Sequence, residues 1–115
     1  MILRVWSGFT TPEMAPDYDR ILNSDVAPGI VAREMAGLER FEVWRRLTAE
    51  ESTEREFLTA MWFKDQDAVT RFTGGDPRGS VVPPQARAVL KRFDEHSRHY
   101  ELRHRHWPLG EAAED

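Results

Sequence analysis

The sequence predicts an α+β domain of the ferredoxin-like kind, a split β-α-β arrangement in which helices cover one face of a four-stranded antiparallel sheet. Three observations lead there. Four segments rich in β-branched and aromatic residues read as strands, two segments carry apolar residues at helical spacing, and their order is strand, helix, two strands, helix with an extra turn, strand. A chain of 115 residues suits one such domain. Residues 1–103 are assigned to it, and 104–115 to a C-terminal tail that ends in the polar run GEAAED.

The first strand is ILRVWSGF, Ile2 to Phe9. TTPE then opens a helix: Thr11 supplies a capping hydroxyl, Pro12 suits the first helical position and Glu13 suits the positive end of the dipole. Met14, Tyr18, Ile21, Leu22 and Val26 form one stripe of this helix, and Pro28 with Gly29 should end or kink it. FEVWRRL, Phe41 to Leu47, and REFLTAMWF, Arg55 to Phe63, are predicted to pair as an antiparallel hairpin. Asp65 caps a short second helix carrying Ala68, Val69 and Phe72. The TGGDPRG that follows reads as a connector or a lid, and it lacks the Lys-Ser/Thr of a phosphate loop. VVPPQARAVLKRF adds a helical turn with Ala86, Val89 and Leu90 facing inward, and FDEHSRHYEL returns to the sheet as the fourth strand.

Composition narrows the function. A net charge of −4 argues against a phosphate-backbone binder, so no nucleic-acid partner is expected. Zero cysteines exclude disulfides, thiol catalysis and Cys-based metal sites. The start MILRVW lacks the pattern of a secretory signal, and no run of eighteen apolar residues occurs, so the expectation is a cytoplasmic protein with no membrane partner.

Alternation divides each strand into two faces, and both carry large apolar groups. The first strand gives Leu3, Val5, Ser7 and Phe9 against Ile2, Arg4, Trp6 and Gly8, and the third gives Phe57, Thr59, Met61 and Phe63 against Leu58, Ala60 and Trp62. Helices cover only one face. The other needs a partner, and a two-fold homodimer packed sheet on sheet supplies one.

All four histidines lie in HSRHYELRHRHW, at 96, 99, 104 and 106. Strand geometry sets His96 and His104 roughly 26 Å apart, so they cannot share an ion, and His104 with His106 alone makes a weak site at a chain end. No metal site is therefore assigned. His99 sits mid-strand on the face opposite His96, with Ser97 and Glu101, where it can act as a general base. Tyr18 offers a hydroxyl from the helix stripe. Trp6, Trp44 and Trp62 are candidate walls for an aromatic ligand, and Arg4, inside a strand, is a candidate partner for its carboxylate or phenolate.

The segments VWSGFTTPE, VAPGI, TAMWFKDQDAV and VVPPQARAVLKRFDEHSRHYEL, in that order, resemble the dimeric α+β barrel proteins of the antibiotic biosynthesis monooxygenase type. The resemblance implies a ferredoxin-like subunit, a dimer closed by its sheets and a pocket between sheet and helices. It also implies oxidation of a polyketide- or quinol-type aromatic by dioxygen with no cofactor, or binding of a small molecule without turnover. A haem-degrading activity is the third alternative. Trp62 matches the strand tryptophan that such oxygenases place in their pocket. Their partner asparagine has no counterpart, since Asn23 is the one asparagine of the chain, and the histidine that haem-degrading relatives carry before the last strand is absent from VPPQARAVLKRF.

Overall fold

The computed structural model describes residues 1–74 and 82–108. The strands are β1 (Ile2–Thr10), β2 (Leu38–Arg45), β3 (Arg55–Phe63), β4 (Arg92–Phe93) and β5 (Arg98–Glu101). The helices are α1 (Ala15–Ile21), α2 (Ala27–Ala32), α3 (Gln66–Thr73) and α4 (Pro84–Arg87), with a π-helical segment, Leu22–Val26, between α1 and α2. The sheet runs β2-β3-β1-β4, and β5 also pairs with β1, all antiparallel. From Gly75 on, the TGGDPRG connector lies outside the described residues, as does the tail beyond Pro108.

Four expectations need correction. Thr11 caps a turn and not the helix: its hydroxyl and its carbonyl both accept from the Met14 N–H, and α1 starts only at Ala15. Pro28 and Gly29 do not end the helix. Proline has no N–H to give the carbonyl four residues back, and the backbone accommodates this by widening, so that the Ala27 N–H donates to the Leu22 carbonyl five residues earlier. With the wider turn absorbing the misfit, Pro28 rides in the first turn of α2.

The second strand starts earlier than its alternation suggested and stops before Leu47, which is 95% exposed. A register shift between Leu38 and Arg40 breaks the parity, so Leu38 and Phe41 both pack into the helix-side core. The fourth strand is split at Asp94. That residue's carboxylate accepts from the Ser7 N–H at 2.9 Å, and its carbonyl accepts from the Trp6 indole at 2.8 Å. At the same end of the sheet Arg92 pairs with Glu54 at 2.9–3.0 Å through two nitrogens, joining the start of β3 to β4.

The helix-side core comes in two clusters. Ala15, Tyr18, Leu22, Phe57 and Ala86 form one; Met61, Phe63, Ala68, Val69 and Phe72 form the other. The α3 end of the second is well defined: the Asp65 carboxylate accepts from the Ala68 N–H at 2.9 Å, and Gly74 closes the helix at φ 72°. Between the two clusters the packing is incomplete.

Candidate functional site

That gap is a cavity between the sheet and the helices. Its floor is sheet: Arg4 and Trp6 from β1, Thr59 and Met61 from β3, Phe41 from β2, and Ser97 just before β5. Its roof is Tyr18 from α1, Leu22 and Val26 from the π-helical segment and Ile30 from α2, with Phe72, Pro83 and Ala86 closing the sides. The widened turn forced by Pro28 thus presents two of the roof residues. The room available to the centre of a water molecule is about 50 Å³, enough for a few waters and well short of the roughly 300 Å³ of a site that encloses a drug-sized ligand.

Most of the lining is apolar, so the polar groups stand out. Arg4 is 4% exposed, and its Nη1 lies 3.0 Å from Nε2 of His99, directly opposite it across the β1–β5 ladder. Its Cζ lies 5.4 Å from the centre of the Phe72 ring. Burial lowers the Arg4 pKa, from a starting value high enough to keep the guanidinium charged at neutral pH. The Tyr18 ring is 1% exposed, meets Phe57 edge-on at 5.1 Å and finds no hydrogen-bond partner for its hydroxyl among the described residues. Burial raises the Tyr18 pKa, so this hydroxyl keeps its proton. Ser97, 5% exposed, and Thr59, whose hydroxyl donates to the Trp6 carbonyl at 3.4 Å, are further polar groups of the lining.

Tyr18 and Arg4, both expected from the sequence, are therefore brought to one cavity together with Trp6. His99 is not in the lining. It stands behind Arg4, and its pKa is lowered first by burial and then by the charge of Arg4, so the ring is neutral near pH 7. Trp62 and Trp44, expected beside Trp6 as ligand walls, are on the other face of the sheet. Register decides this: Trp6 pairs with Thr59 and Arg4 with Met61, while Trp62 pairs with Leu3 and Arg40, and Trp44 with Leu58. The Arg40 guanidinium stacks on Trp62 with its Cζ 4.2 Å from the ring centre, and Trp44 is 57% exposed with its indole N–H donating to Glu42.

The remaining histidines, His96, His104 and His106, are exposed. Among the described residues no group of three or more His, Asp or Glu stands together to hold a metal ion. Likewise, no described helix is long and apolar enough to cross a membrane.

Ser97, Thr59, Phe41 and Gly8 escaped the sequence reading of the site. Ser97 carried a usable signal, sharing strand parity with His99. So did Gly8, a glycine inside a strand. A Cβ placed there would come within 3.1 Å of the Tyr18 hydroxyl and 2.9 Å of Leu90, so glycine is what lets Tyr18 reach the sheet.

The sequence matches no family model and no curated protein. Solved structures are more informative. A Bacillus cereus protein provisionally named an antibiotic biosynthesis monooxygenase superposes with a TM-score of 0.64 over 92% of this chain and 96% of its own, at 8% identity. A Deinococcus radiodurans protein of the same provisional name gives 0.62 over 96% and 100%, at 14% identity. The chain shares the fold of these two proteins, a ferredoxin-like α+β subunit with an antiparallel sheet. A conserved Methanosarcina mazei protein superposes as well, with a TM-score of 0.57 over 90% of this chain and 94% of its own, at 15% identity. Identities this low speak for the fold alone.

Proposed function

We propose that the cavity receives a planar, hydroxylated aromatic molecule as its anion and that the bound anion reacts directly with dioxygen, with no cofactor. The observation that carries this reading is Arg4, a buried cation in the floor of a mostly apolar cavity with Trp6 and Tyr18 beside it. Apolar walls take the rings, and the guanidinium pairs with the oxygen that bears the charge. Such pairing favours the ionised form of a phenol or enol, which is the electron-rich form that reacts with oxygen.

An anthrone illustrates the balance. Its enolate carbon bonds to dioxygen to give a hydroperoxide anion, which takes up one proton. Water then leaves with the remaining hydrogen of that carbon, and a carbonyl is left. One oxygen atom stays in the product and the other departs in water. In this reading the Tyr18 hydroxyl, which lines the cavity and keeps its proton, donates a hydrogen bond to the bound oxygen. Because the cavity is narrow, a fused ring system requires the roof at Val26 and Ile30 to move outward.

One observation favours a second reading, binding without turnover: no described group lining the cavity is a good base at neutral pH, because Tyr18 holds its proton. Oxygen-electrode measurements with 1,8-dihydroxyanthrone separate the two. Enzyme-dependent oxygen uptake that is lost in Arg4→Met supports oxygenation; saturable binding with uptake at the background rate supports the binding module; neither binding nor uptake ends the proposal.

The functional unit proposed is a homodimer. Support comes from the sheet face away from the helices, where Leu3, Leu58, Trp62, Trp44 and Tyr100 stand on one side of the same sheet. Sedimentation at micromolar concentration should give twice the 13.4 kDa of one chain, and a stable monomer would refute it.

A further inference from the structure

We infer that His99 is the positioning residue of this site: as its Nδ1–H tautomer it accepts a hydrogen bond from Arg4 at Nε2, and so fixes the direction in which the guanidinium faces the cavity. A guanidinium has donors only, so a contact of 3.0 Å between Arg4 Nη1 and His99 Nε2 requires a lone pair on that ring nitrogen. The one N–H of the neutral ring must then be on Nδ1. Hydrogen bonding of this kind selects the tautomer of a histidine.

The backbone builds the contact. Arg4 and His99 are Cα partners in the β1–β5 ladder, both on the helix-facing side, so the sheet sets their separation and two long side chains do not have to find each other. Phe72 of α3 lies against the same guanidinium, with 5.4 Å between Cζ and the ring centre, and limits its tilt. Because His99 is outside the cavity lining, it touches Arg4 and not the ligand. It is therefore a positioning group, which removes it from the role of general base suggested by its place in the sequence. The consequence for binding rests on the anion-binding reading of the cavity; the tautomer does not.

The test has two arms. In the first, protein carrying ¹⁵N-labelled histidine is examined at pH 7.5 by long-range ¹H–¹⁵N spectroscopy, with the His99 signals assigned by their loss in His99→Gln. An Nδ1–H pattern is expected, and an Nε2–H pattern overturns the inference whatever the protein binds. In the second, 2-naphthoate and its neutral analogue 2-naphthamide are titrated into the wild type, His99→Leu and His99→Gln. The preference for naphthoate should fall about tenfold in His99→Leu, the size expected when one hydrogen bond orienting a charged group is lost. It should return to near the wild-type value in His99→Gln, whose amide oxygen can accept from Arg4. An unchanged preference in His99→Leu overturns the positioning role. If the wild type shows no preference for naphthoate, the anion-binding reading fails, and the tautomer pattern alone decides whether the His99–Arg4 bond exists.

Discussion

Replacing Arg4 by methionine should separate function from stability, because the two are expected to move in opposite directions. The side chain is 4% exposed, so its charge has left nearly all of its water. Among the described contacts it recovers a hydrogen bond to neutral His99, of order 1 kcal/mol, and a cation–π contact with Phe72, of order 0.5–1 kcal/mol. Against these stands the desolvation of an ion, several kcal/mol even after relaxation. Methionine fills much of the same volume and carries no charge, and the His99 ring it leaves is neutral.

Arg4→Met is thus expected to leave stability unchanged or raise it by up to about 2 kcal/mol, which for a domain of this size is a melting temperature as much as about 8 °C higher. Affinity for an aromatic anion should meanwhile fall about 10- to 100-fold, the loss of a charge-assisted hydrogen bond of about 1.5–3 kcal/mol. Differential scanning calorimetry and titration with 2-naphthoate, read together, check both halves. A variant that melts far below the wild type would show that Arg4 is a structural group. One that melts normally and binds naphthoate as well as before would show that the cavity is not an anion site.

Two further predictions concern the surroundings of Arg4. In Gly8→Ala the new methyl meets Leu90 at 2.9 Å, the Tyr18 hydroxyl at 3.1 Å and Trp6 at 3.2 Å, so overpacking should cost about 1–3 kcal/mol in urea denaturation, and no change would mean that Tyr18 and Leu90 have slack to yield. His99 should make stability depend on pH: its folded pKa lies below the unfolded value of about 6.5, so the unfolded chain binds the extra proton, and stability falls as pH drops from about 6.5 through the lower folded pKa. Urea midpoints between pH 7.5 and 5 should show this slope in the wild type and less of it in His99→Gln; equal slopes would exclude His99 as its source.

Much of the fold was legible because it depends on local pattern. Order and type of the main elements followed from periodicity, and strand parity already put Ser97 and His99 on one face and His96 on the other. Hence the four clustered histidines could be separated without any coordinates. The elements misread were those in which one local signal met a compensating backbone adjustment. Pro28 reads as an end or a kink, but a π-helical turn absorbs its missing N–H and the chain stays helical to Ala32; the second strand reads as starting at Phe41, but with the irregularity at Leu38–Arg40 it starts at Leu38.

The site divides along the same line. Arg4, Trp6 and Tyr18 were nominated by residue type and position within their own elements. Parity within a strand, however, says nothing about parity between strands, since a shift of one residue exchanges every side chain across the sheet. Sequence alone could therefore not tell that Trp6 shares a face with Thr59 and Met61 while Trp62 looks the other way. Register is a long-range property, fixed by which hydrophobic sets find each other under the helices. It also decided that His99 stands opposite Arg4. The sequence by itself determined a split β-α-β domain with a candidate arginine inside its first strand; only the tertiary structure buried that arginine and made His99 its partner.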